Sequence, residues 1–163
     1  MNMPTGPMND SRKEPSPDKK PFKVALLAPG DEEREELCDA LQANSIGHEL
    51  LIFRDADQFF EVIDSVSAGR NIDHALLPNL LMIAQAGESV ACADILARVK
   101  RTPVIKAIPV IVFSPHDMAS NTPQLYQLGA ASVIRMPLRF DGLVKIVQVM
   151  EDYWFNVASP PNM

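Results

Sequence analysis

The chain contains few of the features that mark secreted, membrane or nucleic-acid-binding proteins. Among its 163 residues it has two cysteines, Cys38 and Cys92, which we expect to be buried thiols in a reducing compartment. No run approaches the ~18–20 apolar residues of a membrane span, and residues 1–21 lack the apolar core of a secretory signal. A formal net charge of −6 without a basic stripe argues against nucleic-acid binding. We therefore expect a cytoplasmic protein that binds neither membrane nor nucleic acid.

Patterns typical of catalysis and of cofactor binding are also missing. There is no glycine-rich phosphate loop of the G-x-G-x-x-G or GK[ST] kind. The histidines His48, His74 and His116 fall in separate segments without metal-ligand spacing. The Ser, His and Asp within residues 114–117 do not predict a hydrolase, because triad residues must converge with one another and with an oxyanion site. The sequence predicts a protein that is not an enzyme and that holds no metal or cofactor.

The chain is predicted to form one domain flanked by two tails. Residues 1–21 hold five prolines mixed with Lys, Ser and Asp, a composition that cannot bury enough surface to fold, so this tail is predicted to be disordered. Apolar strand patterns and amphipathic helix patterns alternate over residues 22–155, and residues 156–163 form the C-terminal tail. The predicted strands are 23–28, 48–53, 78–84, 108–114 and 131–137. The predicted helices are 31–44, 55–69, 89–101, a short one that starts between 117 and 121 and ends at 128, and 140–155. This alternation predicts an α/β domain with a five-stranded parallel sheet and helices on both faces.

The third predicted strand, PNLLMIA at residues 78–84, has the pattern of an active-site strand without a reactive group. In open parallel sheets, ligands bind at the carboxyl ends of the strands. This strand ends at Ala84 and is followed by Gln85. No Asp or Glu lies between Asp73 and Glu88, so no shift of the strand boundary places a carboxylate there. The strand is therefore predicted to pack in the sheet without contributing chemistry.

Four segments make the chain resemble the receiver domain of two-component response regulators, which has the CheY-like fold. They are RDADQFFEVI (54–63), PNLLMIA (78–84), RVKRTPVIKAIPVIVFS (98–114) and LGAASVIRMP (128–137). The resemblance implies the flavodoxin-like strand order 2-1-3-4-5. In addition, MEDYWFNVASPP (150–161) is similar to the C-terminal extension of the single-domain regulators that partner phytochromes.

The resemblance also implies that the phosphorylation site of the family is degenerate here. Receivers use an acid pair after the first strand to hold Mg²⁺, an Asp ending the third strand to accept phosphate, a Ser or Thr ending the fourth, and a Lys just before a Pro after the fifth. The matching residues of this chain are Ala28 and Pro29, Ala84, Ser114 and Met136. The spacings from Ala84 to Ser114 and from Ser114 to Met136 match the family without gaps, and only Ser114 fits the chemistry. The chain therefore resembles a pseudo-receiver.

Three residues near the fifth strand complete this interpretation. Met136 is expected to fill the vacated pocket with an apolar side chain. Its neighbour Arg135 is expected to have a structural or surface role, because adjacent strand residues point to opposite faces. Val133 stands where the family often carries a switching aromatic residue.

The end of the last predicted helix is the most informative feature outside the core. Tyr153, Trp154 and Phe155 follow a helix stripe that is already complete at Met150. Consecutive helical residues are about 100° apart, so at least one of these aromatic residues must face outward. Exposed aromatic clusters mark interaction surfaces. We predict that Met150, Tyr153, Trp154 and Phe155 form such a surface and that the chain dimerises through the last helix and the tail, the region through which the regulators it resembles pair.

These inferences predict a non-catalytic response regulator that acts as a phosphorylation-independent protein–protein interaction module in two-component signalling. The resemblance implies a histidine kinase or a phytochrome-type sensor as the partner, docked through the first helix and the fifth-strand loop. Two alternatives remain open. One is a receiver that is phosphorylated in an atypical way, with Asp31 or Glu32 acting together with Ser114. The other is a scaffold outside two-component signalling.

Overall fold

The computed structural model describes residues 22–43, 48–68, 77–85, 90–115 and 122–157, with the backbone alone at residues 48, 90, 91 and 155–157. The predicted tail 1–21 and the end of the C-terminal tail lie outside these ranges. The strands are β1 (Phe22–Leu27), β2 (His48–Phe53), β3 (Leu80–Ala84), β4 (Val110–Ser114) and β5 (Ser132–Arg135). The helices are α1 (Asp31–Ala43), α2 (Ala56–Ser67), α3 (Val90–Arg101), α4 (Thr122–Gln127) and α5 (Phe140–Glu151), followed by a π-helical turn (Asp152–Val157).

The five strands form one parallel sheet in the order β2-β1-β3-β4-β5, which confirms the predicted strand order. In the register, Leu27 lies opposite Ile83, Ala84 opposite Phe113, and Ser114 opposite Arg135. The carboxyl ends of the strands therefore align along one edge of the sheet. Strands β1, β3 and β4 are buried along their whole length, because helices cover both faces of a parallel sheet.

Two apolar layers separate the sheet from the helices. The layer on the side of α2, α3 and α4 contains Phe59, Phe60, Leu96 and Leu125, all essentially inaccessible to solvent. The layer on the side of α1 and α5 contains Leu37, Leu41, Leu143, Val147 and Met150. Helices thus cover both faces, as the alternating sequence pattern predicts. No helix within the described ranges is long and apolar enough to cross a membrane.

Local signals set the ends of α2 and α4. Asp55, predicted to open α2, is its N-cap: its backbone is extended and its carboxylate accepts the Gln58 N–H at 2.8 Å. Gly129 follows helix α4 and has a φ of +112°, a backbone conformation that is strained for any residue with a side chain. The predicted end of α2 at Gly69 and the predicted start of α4 before Thr122 fall outside the described residues.

The last helix differs from the prediction of one regular helix to residue 155. The α-helical hydrogen bonds end at Glu151, and Asp152–Val157 continue as a π-helical turn. The Asp152 N–H is shared between the carbonyl oxygens of Gln148 and Val149 at this transition. Apolar periodicity does not distinguish an α-helix from a π-helical turn. The turn continues the helix with i→i+5 hydrogen bonds and needs no Gly or Pro to begin.

Candidate functional site

The carboxyl ends of the strands bring the predicted phosphorylation-site positions to one edge of the sheet. The Met136 N–H donates to the Ser114 carbonyl oxygen at 2.8 Å, which continues the β5–β4 pairing by one residue. The Gln85 N–H, directly after Ala84, donates to the Phe113 carbonyl oxygen at 2.8 Å. Ala84, Ser114 and Met136 are therefore neighbours in space, although 52 residues of chain separate the first from the last.

Three of the residues at this edge are apolar and buried. Ala28, Ala84 and Met136 have exposed fractions of 0%, 1% and 6%, and all three belong to the apolar layer under α1 and α5. Pro29, the other residue matched to the acid pair, is exposed. The burial of Met136 in the same layer as Ala84 is what filling of the vacated pocket requires. None of these three side chains carries a group that could accept a phosphoryl group or bind a metal ion through oxygen.

Sequence patterns do not point to Arg34, yet its side chain organises the end of β1. Its Nη1 donates to the Ala28 carbonyl oxygen at 2.8 Å, and its Nη2 pairs with the Asp31 carboxylate. The Arg34 side chain is 12% exposed, whereas that of Asp31 is 85% exposed. The available signal is the i,i+3 spacing of an acid and an arginine on one helix turn. Asp31, one candidate metal ligand of the atypical receiver, is therefore already paired with a guanidinium.

The acidic start of α1 forms one wall of an open cleft of about 410 Å³ beside this site. The cleft is lined by Glu32, Glu33, Glu36, Pro115, Met136, Pro137 and Leu138. Leu138 has an exposed fraction of 79%. The lining thus combines three acidic side chains with apolar ones. Within the part of the chain that the structure describes, no group of three or more His, Cys, Asp or Glu side chains is arranged to hold a metal ion.

Ser114 and the fifth strand lie at the margin of this site. Ser114 is 7% exposed at the end of β4 and is not among the residues lining the cleft. Arg135 is exposed. The Val133 N–H donates to the hydroxyl oxygen of Tyr126 at 3.0 Å, so a residue of α4 reaches the outer edge of β5. The sequence carries no signal for this bond, because Tyr126 has no pattern beyond that of a half-exposed helix residue.

The predicted C-terminal interaction surface is only partly on the surface. The prediction that Met150 lies on this surface is wrong: its side chain is 7% exposed, because it belongs to the buried stripe of α5. Trp154 is half-buried against the same layer, and its ring meets that of Tyr153 edge-on, with centroids 5.0 Å apart. Tyr153 is 51% exposed, and Val149, which the sequence patterns do not single out, is 68% exposed. The side chain of Phe155 lies outside the described residues.

The two cysteines are free thiols in different surroundings. Cys92 is buried as predicted, and burial raises its pKa to about 12. Cys38 is only half-buried, and its pKa is raised first by burial and then by the charge of Asp39. Both shifts disfavour the thiolate, which is the reactive form. Neither thiol has the lowered pKa of a nucleophile.

Comparison with known proteins finds response regulators. The chain is 25% identical over 147 residues to the response regulator Rcp1 of a Synechocystis strain, which covers 90% of this chain and 98% of that protein. The phosphorylated cyanobacterial phytochrome response regulator RcpA superposes with a TM-score of 0.70 at 22% identity, covering 86% of this chain and 99% of that one. The response regulator RPA3017, in red light signalling of R. palustris, superposes with a TM-score of 0.72 at 17% identity, covering 87% and 99%. No protein-family model matches the chain.

Proposed function

The chain is homologous to the response regulator Rcp1 and has the CheY-like receiver fold, and on this premise we propose that it is a pseudo-receiver that acts without phosphoryl transfer. The observation that carries the proposal is the buried apolar edge of the sheet. Ala28, Ala84 and Met136 stand there in place of an acid, an acceptor Asp and a Lys. The protein is a non-catalytic interaction module whose state is set by its partners.

Physical chemistry supports the loss of phosphorylation at this edge. A transferred phosphoryl group needs cations and donors that offset the charge on its oxygens. Ala84 offers no nucleophile, and Met136 fills the space with an apolar side chain. A phosphorylation-driven shift between two states requires a ligand that binds one state better, and this chain lacks the group that would carry it. Any change in its conformation is then driven by partner binding or by dimerisation.

The proposed partner is a histidine kinase of the phytochrome type. The similarity to RcpA and RPA3017 supports this choice, since one is a phytochrome response regulator and the other belongs to red light signalling. The proposed docking surface is the cleft between the start of α1 and the β5–α5 loop. Glu32 and Glu33 offer negative charge on one wall and Leu138 offers exposed apolar surface on the other. A partner segment that combines basic and apolar side chains complements both walls.

Phosphorylation is tested by incubating the full chain with acetyl phosphate and Mg²⁺ and measuring the intact mass. We expect no adduct of about 80 Da, the mass that one phosphoryl group adds. A stable adduct would overturn the pseudo-receiver. If that adduct disappeared in Asp31→Asn or Ser114→Ala, the protein would be the atypically phosphorylated receiver.

Partner choice is tested by affinity capture from the native host in EDTA, which removes the Mg²⁺ that phosphoryl transfer needs. We expect the tagged wild-type chain to retain a histidine kinase, and Leu138→Asp to lose it. Val104→Asp is the matched control, because it places the same charge at another exposed apolar residue, outside the cleft. Capture that needs ATP and Mg²⁺ contradicts phosphorylation independence. Reproducible capture without any kinase identifies a scaffold outside two-component signalling.

We also propose that the protein acts as a homodimer through α5 and the residues that follow it. The exposed Val149 and Tyr153 support this, because each places an apolar surface in solvent on the outer side of α5. Sedimentation of the full chain at micromolar concentration is expected to give a dimer. A monomer at that concentration would contradict the proposed dimer. The proposal of phosphorylation-independent docking would then be tested by the capture experiment alone.

A further inference from the structure

Helix α1 carries an acidic surface that continues from the cleft along the helix. The helix contains six acidic residues and one arginine, and that arginine, Arg34, is already paired with Asp31. Glu32, Glu35 and Asp39 are exposed, and their spacing of three and four residues places them on one side of the helix. We call these three residues the acidic face. Glu32 also lines the cleft, so the face and the cleft form one negatively charged surface.

The N-terminal segment is joined to the domain at the opposite end of this helix from the cleft. Phe22, where β1 begins, lies opposite His48, where β2 begins. Because the two strands are parallel, α1 must return from the carboxyl end of β1 to the edge of the sheet at which both strands begin. Phe22 is buried in the same apolar layer as Leu41, near the end of α1. Residues 1–21 are therefore attached beside the carboxyl-terminal end of α1.

The basic residues of the N-terminal segment have a spacing that matches the length of α1. They form two adjacent pairs, Arg12–Lys13 and Lys19–Lys20. Lys13 and Lys20 are seven residues apart with two prolines between them. At about 3.1 Å per residue in an extended proline-rich chain, this separation is about 22 Å. The thirteen residues of α1 span about 20 Å at 1.5 Å per residue. With the second pair beside the end of α1, the first pair therefore reaches its start, where the cleft lies.

The composition of the segment complements the cleft in more than net charge. The segment also contains three acidic residues, so its positive charge is concentrated in the two pairs. Met8, four residues before Arg12, adds an apolar side chain, and the cleft offers the exposed Leu138. Covalent attachment raises the effective concentration of such a segment to the millimolar range. Individually weak ion pairs at the surface are then enough to cover the cleft for much of the time.

We propose that residues 8–20 dock on the acidic face of the same chain, with Arg12 and Lys13 at the cleft and Met8 on Leu138. The consequence rests on the proposed function, because the cleft is the surface proposed for the kinase. The segment then competes with the partner and has to be displaced before the partner docks. The occupant of this surface in the free protein is thus its own N-terminal segment.

The docking is tested in the full chain with a water-soluble carbodiimide, which joins an amine to a carboxylate in contact with it. We expect Lys13 to be joined to Glu33 of the cleft and Lys20 to Asp39, in molecules of monomer mass, as peptide mass mapping can determine. Glu61 is the internal control, an exposed carboxylate of α2 on the other side of the sheet. Absence of the Lys13–Glu33 product, or an equal yield of Lys13–Glu61, would overturn the docking. Cross-links found only at dimer mass would assign the segment to another copy and overturn it as well.

The register is tested by exchanging charges at the cleft. Arg12→Glu keeps the Lys13 amine, so the yield of the Lys13–Glu33 product reports the docking, and we expect it to fall at least about threefold. Adding Glu32→Lys restores opposite charges and should return the yield to within about twofold of wild type. Arg54→Glu, at an exposed arginine outside the segment and the cleft, is the matched control and should leave the yield unchanged. Circular dichroism verifies that each variant is folded. A yield that Arg12→Glu does not lower overturns the register.

Affinity capture in EDTA separates this inference from the proposed function. Arg12→Glu uncovers the cleft, and we expect it to retain at least about twofold more histidine kinase than the wild type, because the apparent affinity scales with the uncovered fraction. Arg54→Glu should retain the wild-type amount. Unchanged retention in Arg12→Glu would overturn the competition and leave the kinase as partner. Failure of both forms to retain a kinase would overturn the proposed function, and the cross-links would still decide whether the segment docks.

Discussion

The Arg34 guanidinium donates a hydrogen bond from Nη1 to the backbone carbonyl oxygen of Ala28 at 2.8 Å, which ties the first turn of α1 to the end of β1. The same side chain pairs with Asp31. An arginine of the chain itself therefore places positive charge beside Ala28, one of the two residues that the resemblance matches to the metal-binding acid pair of receivers.

Replacing Arg34 by Met removes this charge and keeps most of the apolar stem. We expect the free energy of unfolding to fall by about 1.5–3 kcal/mol, because the variant loses the hydrogen bond that the charged guanidinium donates to the carbonyl oxygen of the buried Ala28. Urea denaturation measures the change. Arg54→Met, at an exposed arginine, is the control and should change the free energy by less than about 0.5 kcal/mol. Equal effects in both variants would show that the Ala28 contact contributes nothing specific.

Met136 tests whether the vacated pocket is filled. Met136→Ala is expected to lower the free energy of unfolding by about 2–3 kcal/mol, because the side chain is 6% exposed and its loss leaves a cavity. Met136→Leu conserves the volume and should cost less than about 1.5 kcal/mol. Thermal or urea unfolding separates the two. A Met136→Lys variant as stable as wild type would contradict the apolar filling, because a buried ammonium group without a partner is strongly unfavourable.

Tyr126 is predicted to hold α4 against β5. Tyr126→Phe deletes only the hydroxyl that accepts the Val133 N–H at 3.0 Å, so we expect a loss of about 0.5–1.5 kcal/mol in unfolding free energy. Hydrogen exchange followed by NMR should show the Val133 amide exchanging faster than in wild type. Tyr153→Phe, in the π-helical turn after α5, should not affect that amide. Unchanged exchange in Tyr126→Phe would mean that the bond is not formed in solution.

The two cysteines are predicted to differ in reactivity. Cys92 is buried, so iodoacetamide at pH 8 should modify Cys38 first, as peptide mass mapping can determine. Burial raises the pKa of Cys92 from 9.0 to about 12, so between these values the folded chain keeps a proton that the unfolded chain loses. The unfolding free energy should therefore fall as pH rises from about 9 to 12. In Cys92→Ala this component is absent, and an equally steep fall there would contradict the assignment to Cys92.

Much of the fold follows from local patterns in the sequence. The alternation of apolar strands with amphipathic helices predicts the parallel sheet, because only helices on both faces bury strands such as β3 and β4 completely. The absence of an Asp or Glu between Asp73 and Glu88 follows from the sequence alone. The boundaries of β2 are those predicted, and α2 begins one residue after its Asp55 cap.

The tertiary structure determined which face of each helix and strand packs against the rest of the protein. Packing of α5 against the sheet buries Met150 and leaves the apolar Val149 in solvent. The sequence patterns single out the stripe that ends at Met150 but do not show that Val149 stays exposed beside it. The bonds from Arg34 to Ala28 and from Val133 to Tyr126 likewise require the folded chain, because each joins side-chain atoms to a backbone group of another segment. Local sequence thus determined the elements and the lack of a carboxylate at the end of β3, whereas long-range packing determined which side chains surround that position and which remain exposed to solvent.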